Sequence, residues 1–85
     1  MELSKVTGTS STCKFHLADG TTITASSEFM ASPDGHFAGH YVHVSSMKHL
    51  ETGEFLTATE KQKLKVEFER WRKARASKCI IKFVE

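Results

Sequence analysis

The chain has 85 residues, of which 39% are apolar and 26% charged, and its formal net charge is +2. A chain of this length holds one hydrophobic core and is too apolar to stay disordered, so one domain over residues 1–85 is expected. The small net charge does not by itself imply a nucleic-acid or membrane partner, although a local patch remains open. No apolar run approaches the ~18 residues that cross a bilayer, and Met1-Glu2-Leu3-Ser4-Lys5 opens no secretory core, so the simplest location is the cytoplasm. Without a secretory signal, Cys13 and Cys79 are expected as reduced, buried thiols.

In chain order, Cys13-Lys14-Phe15-His16-Leu17 alternates apolar and polar residues, the period of a half-buried strand, and Ile23 and Ala25 mark its partner. A two-residue loop at Asp19-Gly20 would set the two apolar sets on opposite faces. A three-residue loop of Ala18, Asp19 and Gly20 instead pairs Phe15 with Ile23 and Cys13 with Ala25, with Gly20 left-handed. Ala31-Ser32-Pro33-Asp34-Gly35 reads as a turn. His40-Tyr41-Val42-His43-Val44 reads as a third strand, with Val42 and Val44 on one face and Tyr41 and His43 on the other. Met47 and Leu50 suggest a short helical turn, and Glu54-Phe55-Leu56 a brief edge strand.

Thr57-Ala58-Thr59-Glu60 has the form of a capping box. The spacing of Leu64, Phe68, Trp71 and Ala74 then predicts one apolar helical stripe ending near Arg75. Cys79-Ile80-Ile81-Lys82-Phe83-Val84 predicts a final strand, and its nearly continuous apolar character points to a central place in the sheet. The expected fold is therefore α+β: an antiparallel or mixed sheet of about four to five strands, one C-terminal amphipathic helix on one face, and a closing strand.

For chemistry, His36, His40 and His43 would converge on a metal only if they lay on a helix. The neighbouring glycines and valines disfavour one, so no metal site is assigned. Strand alternation turns His16 away from Cys13, which removes a cysteine–histidine nucleophile. With no Ser-His-Asp order, paired-carboxylate motif or phosphate loop in recognisable form, the chain is read as a non-enzyme without cofactor. Residues 58–75 carry seven cations against three carboxylates. The cluster Arg70, Arg72, Lys73, Arg75 and Lys78 is thus a candidate surface for phosphates or an acidic protein, while helix-dipole stabilisation explains the same cations without a ligand. Tyr41, with His40 and His43 on the third strand, is the other candidate contact surface, because tyrosine is enriched at interfaces.

From Gly53 through Glu54-Phe55-Leu56-Thr57-Ala58-Thr59-Glu60-Lys61, the amphipathic helix and the closing Ile80-Ile81-Lys82-Phe83, the chain resembles small immunity proteins of bacterial polymorphic toxin systems. The resemblance implies a protein that neutralises a partner toxin by binding it, with no reaction of its own. A phage-encoded inhibitor of host defence would present the same features, so the class expected is a stoichiometric inhibitor of a toxin or other effector. A nucleic-acid-binding protein using the basic helix end and a self-associating structural subunit are the alternatives.

Overall fold

The computed structural model describes residues 1–31, 33, 38–75 and 80–85. Strands β1 (Leu3–Gly8), β2 (Thr12–Leu17), β3 (Thr22–Ala31), β4 (Ala38–His43) and β5 (Lys48–His49) precede helix α1 (Ala58–Ala74), and β6 (Ile81–Val84) follows it. The six strands form one mixed sheet in the order β1-β2-β3-β4-β6, with β5 also pairing β3. Among the described strands only β4 and β6 run parallel. The α+β architecture read from the sequence holds, with strand β1 added.

The β2–β3 hairpin has the three-residue loop that its side-chain pattern demands. Cys13 faces Ala25 and Phe15 faces Ile23. Leu17 N–H donates to Thr21 O at 2.9 Å, and Gly20 takes φ 93°. Asp19 Oδ1 accepts both the amide and the hydroxyl of Thr21, at 2.9 and 2.6 Å. These bonds to the charged form hold the Asp19 carboxyl below its usual range.

β1 escapes a simple alternation reading because a register shift lies between Leu3 and Lys5. The bulge lets Leu3 and Val6, three positions apart, both reach the core; Leu3 is buried and Val6 packs against the buried cluster. After β4, the chain makes a 3₁₀ turn at Val44–Ser46. The expected turn at Met47 and Leu50 thus begins three residues earlier: Met47 is fully buried just after it, while Leu50 is exposed. Of the segment 54–56, Phe55 forms an isolated bridge to Lys48 rather than a strand.

Helix α1 begins at the capping box. Thr57 accepts the Glu60 N–H and Glu60 Oε1 accepts the Thr57 N–H at 2.9 Å. Glu60 Oε2 also lies 2.9 Å from His49 Nε2, which ties the first helical turn to β5. Thr57→Ala is expected to cost about 1 kcal/mol and to lower the melting temperature by about 4–8 °C in a domain of this size, measured by thermal circular dichroism.

The core lies between α1 and the helix-facing side of the sheet. Phe68 packs edge-on to Phe15 (centroids 6.2 Å apart) and to Phe83 (5.7 Å), and tilted against Trp71 (6.0 Å). Leu64 and Phe68 are fully buried and Trp71 partly so, as their spacing requires; Ala74 is exposed. The helix is clamped to β1 by two polar contacts: Glu67 Oε2 accepts the Leu3 N–H at 2.7 Å, and Trp71 Nε1 donates to Ser4 O at 3.3 Å.

The last strand departs from expectation, since β6 sits at the edge of the sheet and not in its interior. Its apolar run serves two faces. Ile81 and Phe83 pack on the core under the helix, whereas Ile80 and Val84 belong to the opposite side. Cys79, Lys78 and His36, and most of the expected turn at 31–35, lie outside the described residues.

Candidate functional site

The side of the sheet turned away from α1 is built by alternation. Along β3 and β4, residues Ser27 and Val42 point to the core and are directly paired, so their neighbours Glu28 and Tyr41 point outward as the next pair. Tyr41 is in turn opposite Lys82 of β6. Glu28, Tyr41 and Lys82 therefore stand in one row across three strands, acid, aromatic and cation. The Lys82 ammonium lies 6.0 Å from the centre of the Tyr41 ring, within cation–π range.

The rows on either side are apolar or weakly polar. Met30 faces Gly39, and Gly39 stands beside Ile80 at the start of β6. A Cβ on Gly39 would meet both the side chain and the carbonyl of Ile80 at 2.8 Å. Glycine is thus required there for β6 to lie flat against β4, as the 3.0 Å bond from His40 N–H to Ile80 O records. On the other side His43 pairs with Val84, and its Nε2 lies 3.8 Å from Glu28 Oε1. That pair is solvent-exposed and contributes little to stability.

The result is a half-buried tyrosine among Met30 and Ile80, which remain 44% and 45% exposed, with Val84 alongside and Glu28, Lys82 and His43 at the rim. An aromatic centre edged by charge is the anatomy of a protein contact patch.

The structure separates the three residues that the sequence grouped on the third strand. Tyr41 and His43 share the outward face. His40 lies on the helix-facing side, where it pairs with Phe29 and takes that ring edge-on at 5.4 Å. Among the described residues, neither its Nδ1 nor the Ser27 hydroxyl, both buried, has a hydrogen-bond partner, and a buried group left so costs about 1–3 kcal/mol. Among the described residues no group of three histidines, cysteines or acids is placed to hold a metal.

The described cations of the basic helix end are partly taken up within the helix itself. Arg70 grips Glu67 through two bonds of 2.7 and 2.6 Å, and Arg72 bonds Glu69 at 2.9 Å. Arg75 lies over the Trp71 ring, 5.5 Å from its centre, and Lys73 is exposed. Half of the four cations are engaged by carboxylates three positions away on the same helix.

Sequence reading reached Tyr41 and His43 but not Glu28, Met30 or Ile80. The ten-residue length of β3 is what carries Glu28 and Met30 beside β4, and nothing local in Ser26-Ser27-Glu28-Phe29-Met30 announces it. Lys82 was within reach, because alternation in the last strand sets it opposite to Ile81 and Phe83. Comparison of the chain with protein-family models, with curated proteins and with solved structures gave no match.

Proposed function

We propose that the chain is a small protein-binding module that neutralises a partner protein by direct, stoichiometric contact through the outward face of β3, β4 and β6. The observation that carries this reading is the Glu28-Tyr41-Lys82 row set between Met30 and Ile80 on one side and Val84 on the other. Tyrosine offers a large, stiff contact area at low entropic cost, and its neighbours supply apolar burial with charges at the margin. The partner class that the resemblance suggests is a bacterial toxin or other effector, met in the cytoplasm. No described helix is long and apolar enough to cross a membrane.

The test is a pulldown of tagged chain from its native lysate with and without nuclease, repeated with Tyr41→Ala. A protein retained at near-equal stoichiometry by the parent chain in the presence of nuclease is expected, and Tyr41→Ala should weaken that complex by more than about 1 kcal/mol without changing the circular dichroism spectrum. Recovery that vanishes with nuclease would transfer the function to Lys73, Arg75 and the nucleic-acid reading. A partner bound equally well by Tyr41→Ala would remove this face from consideration.

A further inference from the structure

The other half of the outward face, over β2, β3 and β5, carries a second row. Lys14 is opposite Thr24, Thr24 is opposite Lys48, and Lys48 is bridged to Phe55. Residues directly opposite share a face. Since Ile23 and Ala25 flank Thr24 and point to the core, this row points away from α1. Beside it Thr12 faces Ser26, whose N–H donates to the Ser46 hydroxyl at 2.8 Å. Thr12, Thr24, Ser26, Ser46, Lys48 and Phe55 line a hollow of about 410 Å³. Lys14 stands at a smaller adjoining hollow that shares Thr12.

The Ser46 hydroxyl is engaged on both sides, accepting the Ser26 N–H and donating to His43 O at 2.7 Å, but Thr24 and the two lysines are poised rather than spent. Thr24 is 9% exposed, yet its hydroxyl bonds to none of the described residues. Neither Lys14 nor Lys48 has a carboxylate within ion-pair distance among those residues. Glu51 is turned to the Thr22 N–H at 3.2 Å, one row further along. Strand spacing sets the stems of Lys14 and Lys48 about 10 Å apart on either side of Thr24, and their flexible ends can close on an anion between them. Phe55, 66% exposed, offers a ring face at the rim for a flat group.

We infer that this hollow binds a small phosphomonoester, its phosphoryl oxygens held by the ammonium groups of Lys48 and Lys14 and by the Thr24 and Thr12 hydroxyls, and its flat remainder lying on Phe55. A phosphate brings close to two negative charges and three acceptor oxygens, which matches two cations and two neighbouring threonine hydroxyls better than the two oxygens of a carboxylate do.

The full chain, isotope-labelled for NMR, is titrated with inorganic phosphate, with adenosine monophosphate and with adenosine at constant ionic strength held by chloride. Adenosine monophosphate should shift the Thr24, Ser26 and Lys48 amides saturably, with a dissociation constant of about 1 mM or tighter, and adenosine should not. Lys48→Gln should weaken binding about tenfold or more, with Lys14→Gln as the second variant, and Phe55→Ala should weaken the nucleotide but leave phosphate unchanged. Shifts that rise linearly with concentration, or unchanged affinity in both lysine variants, would overturn the site. Phosphate binding as tightly as the nucleotide would overturn the organic phosphomonoester and leave an inorganic anion in its place.

Discussion

Replacing Phe68 with alanine is expected to remove about 3–5 kcal/mol of folding stability. The ring is fully buried and touches three other aromatic rings, two from the sheet and one from its own helix. It therefore joins the helix to both β2 and β6, and truncation leaves a cavity that neither layer can fill alone. A chain of 85 residues has a total stability of about 4–13 kcal/mol at the usual 0.05–0.15 per residue. The loss is then all or nearly all of the total at the lower end of that range and about a quarter or more of it at the upper end. Urea unfolding followed by circular dichroism measures the loss, with Val66→Ala as control. Val66 is 61% exposed and its truncation should stay within about 0.5 kcal/mol. A loss below about 1 kcal/mol for Phe68→Ala would mean that the helix does not pack on the sheet through this ring.

The second large effect is expected at Glu67. Its side chain is buried, accepts the N–H of buried Leu3 at 2.7 Å and receives two bonds from Arg70. Glu67→Ala strips the amide of buried Leu3 of its acceptor, a loss of about 1–3 kcal/mol, and leaves Trp71 to Ser4 as the remaining polar contact between the helix and the start of β1. Glu67→Gln keeps an acceptor for Leu3 and should cost less. The pH dependence separates charge from hydrogen bonding. The Arg70 bonds foremost, with the Leu3 amide, hold the Glu67 carboxyl below its ordinary value of 4.5 against the opposing effect of burial. A carboxyl lowered in the folded state contributes its stability above the unfolded value, and that contribution is lost as pH falls through the lowered one. Glu60, lowered chiefly by the Thr57 amide, and Glu85, lowered by Lys65, act in the same direction. Urea midpoints at about pH 7 and about pH 3 should therefore fall less in Glu67→Gln than in the parent, without becoming equal. Identical acid sensitivity in the two proteins would show that Glu67 carries no linked proton.

What could be read from the sequence was whatever neighbouring residues decide among themselves. The hairpin at Ala18-Asp19-Gly20 followed from matching two apolar sets across a short loop. Thr57 and Glu60 specify each other's hydrogen bonds within four residues, and Leu64, Phe68 and Trp71 mark a face by spacing alone. Features that depend on a distant partner were not legible. β1 hides its period behind the bulge at Leu3 and Lys5, because a slip of one residue reverses which side chains face inward. The apolar run at the end looked like an interior strand for a sound reason, since two-sided burial is the commonest cause of such runs. Here the outward residues Ile80 and Val84 extend a sheet face that is open in the isolated chain. At the candidate site, Tyr41 and His43 were found by alternation within one strand, and His40 was grouped with them although the same alternation turns it to the other side. Glu28 and Met30 required knowing how far β3 runs.

The outward face has a history as well as a shape. Its middle strand, β4, meets β3 after a short connection, but its third strand arrives only after the whole of α1 has been traversed and joins β4 in parallel. Pairings between distant segments are the last to recover the entropy of closing their loops. A nascent or partly folded chain can thus hold the β2–β3 hairpin and the helix while Tyr41 still lacks Lys82 at its side. Under the proposed function, recognition through this face would be available only to chains that have finished folding, and a partner seated there would hold β6 in place and be coupled to the global stability of the molecule. On that reading, binding competence would arrive with completion of the sheet.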